Sequence, residues 1–113
     1  MSQITVSNQQ NKVIEAYIVS EDLYKKLEGV ACASSLDFFT VELLEELQGK
    51  FLRSLSDNFN LSDESKDTNW NMQKADFFAF NLYPWYQDFS ALLSAIRHLH
   101  FECSELVIKL TSL

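Results

Sequence analysis

Glycine and proline are scarce in this chain: its 113 residues include two glycines and one proline. Folds built from many tight turns depend on both residue types, so their scarcity disfavours a barrel or sandwich and favours long helices with few connections. Cysteine is scarce too, and Cys32 and Cys103 lack the CxxC spacing of metal and redox sites. We expect two reduced, buried cysteines, which could form a disulfide only if the helices that carry them meet.

Basic residues are also scarce relative to acidic ones. Nine basic residues stand against sixteen acidic ones, which gives a formal net charge of −7. A field of this sign repels a phosphate backbone and attracts basic proteins, so we expect no direct nucleic-acid binding. The first eleven residues are polar, and no stretch approaches the roughly 18 apolar residues of a membrane span. The sequence therefore indicates a cytoplasmic protein with no membrane contact.

The apolar pattern near the C-terminal end is the strongest structural signal. From Phe89 onwards, apolar residues recur at steps of three and four, which places them on one side of a helix. They are Phe89, Leu92, Ile96, Leu99, Cys103, Leu106 and Leu110. This repeat predicts a helix over 87–111. On its far side Phe101 and Ile108, seven residues apart, are candidates for self-association.

A second helix is predicted over 35–58, where six apolar residues share one side. They are Leu36, Phe39, Leu43, Leu47, Phe51 and Leu55. The opposite side carries Glu42, Glu45 and Glu46, and Glu42 repels both of the others across one helical turn. Such repulsion costs only about a few tenths of a kcal/mol, but it concentrates negative charge in one place.

The first and third segments each allow two interpretations. Residues 8–28 fit a helix that ends near Gly29, whereas the β-branched and aromatic residues of 12–19 also fit a strand. Residues 70–83 fit a helix stopped by Pro84, whereas 76–83 also fits a strand.

Four helices joined by short connections predict an all-α protein, a single domain over 1–113 that folds as an up-and-down four-helix bundle. The helices are 8–28, 35–58, 70–83 and 87–111. The alternative is an α+β fold with an N-terminal strand or hairpin at 4–19 and a strand at 76–83.

Aromatic residues are concentrated in 70–89, where there are eight of them. Trp70, Trp85 and Tyr86 fall at the ends of predicted helices, where side chains reach the surface, and these residue types commonly anchor protein interfaces. The polar connection before this segment adds three acidic residues, Asp63, Glu64 and Asp67.

No pattern in the chain indicates catalysis. His98 and Glu102 are four residues apart and could share a metal with Glu42 and Glu45, but the Glu-x-x-His motif of di-metal bundles is missing from the sequence. The sequence also has no glycine-rich phosphate loop and no nucleophile motif. We therefore expect no enzyme, no cofactor, no metal and no catalytic residue.

Clustered carboxylates beside exposed aromatic side chains are typical of a small protein that covers a cationic site on a partner. The first hypothesis is a protein-binding inhibitor, such as an immunity protein, an antitoxin or a phage antidefence factor. Its partner would be a basic protein, such as a nuclease or another nucleic-acid-binding protein. The predicted contact residues are Glu42, Glu45, Glu46, Asp63, Glu64, Asp67, Trp70, Trp85 and Tyr86.

Two other hypotheses belong to different functional classes. One is a non-catalytic homodimeric adaptor or chaperone-like protein that uses Phe101 and Ile108 for the self-contact. The other is a helical bundle that binds a metal or a small ligand.

Overall fold

The computed structural model describes residues 2–61, 63–102 and 105–112, and Cys103 lies outside this part of the chain. The described residues form four helices and a three-stranded antiparallel sheet. In chain order the elements are β1 (Ser2–Ser7), β2 (Val13–Val19), α1 (Glu21–Ala33), α2 (Val41–Asn58), α3 (Thr68–Leu82), α4 (Pro84–Glu102) and β3 (Val107–Ser112). The protein is therefore α+β, and the prediction of an all-α four-helix bundle is wrong.

An N-terminal hairpin replaces the first half of the helix predicted over 8–28. β1 and β2 pair antiparallel, from Ser2 opposite Val19 to Val6 opposite Glu15. The Asn8 side chain holds the turn between them, because it accepts hydrogen bonds from the amides of two later turn residues at 3.0 Å each. The strand alternative for 4–19 is the one observed, as the β-branched residues of this segment favour.

α1 begins immediately after the hairpin. The Ser20 side chain accepts a hydrogen bond from the Leu23 amide at 3.3 Å, and Glu21 and Asp22 occupy the first turn, where negative charge favours the helix. This cap ends the strand and starts the helix within two residues. A single helix over 8–28 would have placed the cap in its interior.

The helix predicted over 87–111 is wrong beyond Glu102. α4 ends there, and the chain returns as β3, which pairs antiparallel with β1 from Ser7 opposite Val107 to Ser2 opposite Ser112. Leu106 and Leu110 fit a helical repeat, but from Ile108 onwards apolar and polar residues alternate, as in a strand. The sheet order is β2-β1-β3, so the N-terminal strand β1 is central and pairs with both β2 and β3.

The segment before α2 also adds to the sheet. Phe39 exchanges two backbone hydrogen bonds with Ile108, at 2.7 and 3.0 Å, along the outer edge of β3. α2 then begins at Val41, where the Thr40 side chain accepts from the Leu43 amide at 3.1 Å. The predicted start at residue 35 is therefore six residues too early.

α3 and α4 meet at Pro84. α3 begins after Asp67, whose carboxylate accepts from the Trp70 amide at 2.7 Å. It ends at Leu82, since Tyr83 before the proline is extended, and Pro84 is the first residue of α4, a position that suits its missing amide. The alternative strand at 76–83 is wrong.

The core lies between the inner face of the sheet and the four helices. Ile4, Val6 and Ile108 of the sheet are almost completely buried, and the sheet packs against α1. The fully buried side chains of α3 are the small Ala75 and Ala79, and Met72 and Phe78 pack against the core while partly exposed. No helix in the described part of the chain is both long and apolar enough to span a membrane.

Candidate protein-binding surface

The first two turns of α2 carry three exposed carboxylates. Glu42 and Glu46 lie away from the buried Leu44 and Leu52, Glu45 borders this apolar stripe, and all three side chains are exposed. Their predicted exposure agrees with the structure. The cap at Thr40 fixes where the helix begins and hence where these side chains point.

Each of these three carboxylates has one basic neighbour. The pairs are Glu46 with Lys50 at 3.2 Å, Glu45 with Arg97 at 3.6 Å and Glu42 with His100 at 3.9 Å. Between about a third and three quarters of each of these side chains is exposed. Exposed ion pairs such as Glu46–Lys50 and Glu45–Arg97 contribute only about 0–1 kcal/mol, so a cationic partner can replace Lys50 and Arg97 at little cost.

Two exposed phenylalanines lie at the same end of the molecule. Phe101 has an exposed fraction of 95%, and it shares a side of α4 with Arg97, four residues earlier, which contacts Glu45. Phe38 is 43% exposed and lines a pocket of about 440 Å³ together with Glu42 and His100. We call Phe38, Glu42, Glu45, Glu46 and Phe101 the acidic end.

His100 contributes an unusual polar group to the same pocket. Its Nδ1 is buried and has no hydrogen-bond partner among the described residues, while its Nε2 faces Glu42. A buried polar atom without a partner is uncommon in folded proteins. A donor or acceptor on a bound molecule could satisfy it.

The other predicted acidic residues lie at the far end of α2. A helix rises about 1.5 Å per residue, so the ten residues from Glu46 to Ser56 span roughly 15 Å before the polar connection begins. Asp63, Glu64 and Asp67 follow this point in the chain. The structure therefore does not join the six predicted carboxylates into one surface.

Two of these distant carboxylates accept hydrogen bonds from nearby backbone amides. Asp63 accepts hydrogen bonds from the Ser65 amide at 2.9 Å and the Ser65 hydroxyl at 2.6 Å, and both bonds lower the pKa of its carboxyl group. Asp67 caps α3. Glu64 is exposed.

Trp70 is exposed, as predicted, but its surroundings are cationic. Its exposed fraction is 39%, and the Nζ atoms of Lys66 and Lys74 lie 5.7 and 5.3 Å from the ring centroid. Both distances fall within the range of cation–π contacts. The described neighbours of the Trp70 ring are therefore two lysines and not the glutamates of the acidic end.

Tyr86 is completely buried, so its predicted role as a surface anchor disagrees with the structure. Trp85 is partly buried against Phe51, with ring centroids 4.8 Å apart, and Lys26 lies 4.7 Å above its ring. Aromatic rings pack favourably in such edge contacts. Trp85 and Tyr86 therefore belong mainly to an aromatic cluster that joins α2 to α4.

The Tyr86 hydroxyl is the centre of a polar network between three helices. It donates a hydrogen bond to Asp76 of α3 and accepts one from the Gln48 side-chain amide of α2 at 3.1 Å. Gln48 in turn accepts from Arg97 at 3.3 Å. Burial, followed by the bond to Asp76, raises the pKa of the Tyr86 hydroxyl. The network positions Arg97 beside Glu45 and so links the core to the acidic end.

The predicted self-association pair is separated by the fold. Phe101 is exposed at the end of α4, but Ile108 is 1% exposed and lies within the sheet core. The pairing assumed one helix through both residues, and the change from α4 to β3 removes that helix. Ile108 is not available for the predicted self-contact.

A second pocket, with a volume of about 200 Å³, lies between α1, α2 and α4. Apolar side chains line it, and Lys26 supplies the one charged group. The lining residues are Leu23, Lys26, Leu27, Val30, Leu47, Phe51, Trp85 and Phe89. Its chemistry suits a small apolar molecule with an anionic group.

No metal site is found among the described residues: no three His, Cys, Asp or Glu side chains are placed to share an ion. Glu102, considered above as a ligand, has a side chain outside the described part.

Cys32 is exposed, which disagrees with its predicted burial. Reasoning from the sequence did not identify Phe38 as a surface residue. The adjacent pair Phe38 and Phe39 could have indicated it, because only one of two neighbouring side chains can point into the core.

Comparison of the chain with protein-family models, with curated proteins and with solved structures finds no match.

Proposed function

We propose that this chain is a small acidic inhibitor that binds and masks a basic surface of a partner protein. Immunity proteins, antitoxins and phage antidefence factors act in this way, and a nuclease or another nucleic-acid-binding protein is the kind of partner whose active surface is basic. The observation that supports the proposal most is the acidic end. It combines three exposed carboxylates with a phenylalanine that is 95% exposed.

The two kinds of side chain have different roles in this proposal. The carboxylates of Glu42, Glu45 and Glu46 accelerate encounter with a cationic surface through long-range attraction. The Phe101 ring, and Phe38 beside the pocket, lose their contact with water on binding and slow dissociation. A cytoplasmic location is part of the proposal, and the exposed thiol of Cys32 suits a reducing compartment.

The test is affinity capture with three forms of the chain as bait. The first is the wild type, and the second carries Glu42→Gln, Glu45→Gln and Glu46→Gln. The third carries Glu28→Gln, Asp57→Asn and Glu64→Gln, which neutralise three exposed acidic residues outside the acidic end. Both variants therefore have the same net charge.

The proposal predicts that the wild type and the third form recover one basic protein, which the second form loses. Mass spectrometry identifies that protein, and its activity should fall when the wild-type chain is added. Equal recovery by both variants would show that the position of the neutralised carboxylates does not matter, which contradicts the proposal.

The pocket of about 200 Å³ supports a second candidate function, the binding of a small anionic apolar ligand. In a Trp70→Phe variant the fluorescence reports Trp85 alone, at the pocket wall. Octanoate should change this signal and 1-octanol should do so less, because the alcohol lacks the charge that Lys26 attracts. An unchanged signal with both ligands would reject this candidate.

A further inference from the structure

Among the described residues, one edge of the sheet is unpaired along its whole length. β2 is a terminal strand in the order β2-β1-β3, and no described residue pairs with its outer side. The outer side of β3 is different, because Phe39 exchanges two backbone hydrogen bonds with Ile108 there. The open row of backbone amides and carbonyls therefore belongs to residues 13–19.

The side chains on this edge are unusually apolar for exposed positions. The exposed fractions of Val13, Ile14 and Ile18 are 55%, 40% and 65%. Natural edge strands usually prevent unwanted pairing with lysine, proline or short length. β2 has seven residues, and Glu15 is its one charged side chain. Apart from Glu15, nothing in the composition of this strand blocks the addition of another strand.

We propose that this chain forms a symmetric homodimer through antiparallel pairing of β2 with β2 of a second copy. The two sheets would then become one sheet of six strands. Pairing β2 with β2 occupies the open edge of both copies, while the Phe39 bridge covers part of the outer edge of each β3, so the assembly closes as a dimer.

Symmetry and charge select the register. In a symmetric antiparallel pair, the two-fold axis passes beside one residue, which lies opposite the same residue of the other copy. If that residue were Glu15, two carboxylates would face each other, which is unfavourable. Centring on Ala16 pairs all seven strand residues, with Ile14 opposite Ile18 and Glu15 opposite Tyr17. Centring on Tyr17 moves the partner strand into the start of α1 and pairs fewer residues.

Charges beyond the strand also favour the register centred on Ala16. Lys12 would lie opposite Ser20 of the other copy, beside Glu21 and Asp22 in the exposed first turn of α1. The two-fold axis repeats this contact, so each dimer would have two such groups of opposite charges. This complementarity identifies a second copy as the occupant of the edge. The acidic end uses different residues, so dimer formation and inhibitor activity can be separated.

The first test is the mass in solution, by light scattering after size exclusion. The chain has a mass of 13.1 kDa, and the proposal predicts twice that value for the wild type. Ile14→Lys with Ile18→Lys should reduce the mass by half. The control is Phe77→Lys, which places a lysine at an exposed apolar site on α3 and should leave the dimer intact. A monomeric wild type, or a dimer that survives the paired lysines, would overturn the proposal.

The second test determines the register without depending on the folding of the lysine variant. In a background with Cys32→Ser and Cys103→Ser, Ala16→Cys should form a disulfide dimer on mild oxidation, because residue 16 faces its own copy. Val13→Cys is the matched control, since it would lie six residues, or roughly 20 Å, from its own copy. Equal cross-linking of both variants, or of neither, would contradict the proposed pairing.

Discussion

At the residue scale, Tyr86 shows where residue type misleads. Tyrosine at a helix start is a common interface anchor, yet here the side chain is completely buried between three helices. Burial becomes favourable because Asp76 and Gln48 satisfy its hydroxyl. These partners lie ten and thirty-eight residues away in sequence, so the pattern around Tyr86 does not contain them.

Other site residues were predictable because local rules decide them. Glu42, Glu45 and Glu46 face water since the apolar repeat of α2 leaves them no other side. The capping role of Asp67 was also readable in principle, because aspartate before a helix is a common cap. The distance between the two acidic groups depends on the length of α2 and could have been estimated from it.

The first prediction concerns the stability of Tyr86→Phe. The variant removes the hydroxyl and leaves the Asp76 and Gln48 groups without this partner, so the free energy of unfolding should fall by about 1–3 kcal/mol. Urea denaturation measures the change. Tyr24→Phe is the control, because its hydroxyl has no hydrogen-bond partner among the described residues, and it should change stability by less than about 0.5 kcal/mol. Equal effects would contradict the network.

The second prediction concerns high pH. The pKa of Tyr86 is raised above its ordinary value of 10.0 by burial, so above pH 10 the unfolded chain releases this proton while the folded chain keeps it. The unfolded state then binds fewer protons, and stability falls as pH rises, by at most about 1.4 kcal/mol per pH unit from this group. Tyr86→Phe should show a shallower loss than the wild type between pH 10 and 11. Parallel curves would mean that Tyr86 titrates normally.

At the element scale, α2 and α3 were predicted well and the two ends of the chain were not. The helices over 35–58 and 70–83 correspond to Val41–Asn58 and Thr68–Leu82. The pattern of 35–58 is long and fits the helical period, and the strand alternative covered only the second half of 70–83. The N-terminal hairpin and β3 are short, and their apolar spacing fits both periods, so only pairing with β1 decides them.

α3 shows the limit of pattern reasoning about which side of a helix is buried. Its large Phe77 is 72% exposed, while Ala75 and Ala79 are fully buried. Small residues at the contact let two helices approach closely, and this preference overrides the rule that the largest apolar side chains face inwards.

The third prediction tests this orientation. Ala79→Leu adds volume to a fully buried site and should lower the free energy of unfolding by about 1–3 kcal/mol. Phe77→Ala, on the exposed side of the same helix, should change it by less than about 0.5 kcal/mol. Urea denaturation of both variants gives the comparison. A larger loss for Phe77→Ala than for Ala79→Leu would show that α3 faces the other way.

At the scale of the whole molecule, charge is distributed unevenly along an elongated shape of 47 × 28 × 25 Å. The net charge of −7 predicts attraction to basic partners in general, but position distinguishes the surfaces. The acidic end combines carboxylates with exposed phenylalanines. Trp70 lies between two lysines, and the β2 edge is nearly uncharged. Each surface therefore suits a different kind of contact.

The most direct measurement is the dissociation constant of the captured basic protein, taken at low ionic strength and at 0.15 M, where the screening length is about 8 Å. If the acidic end binds the partner, the affinity of the wild type for the partner should fall strongly as the salt concentration rises. The variant with Glu42→Gln, Glu45→Gln and Glu46→Gln should bind weakly at both ionic strengths, and its affinity should depend less on salt. Affinity independent of salt, or an equal salt response in wild type and variant, would contradict the account.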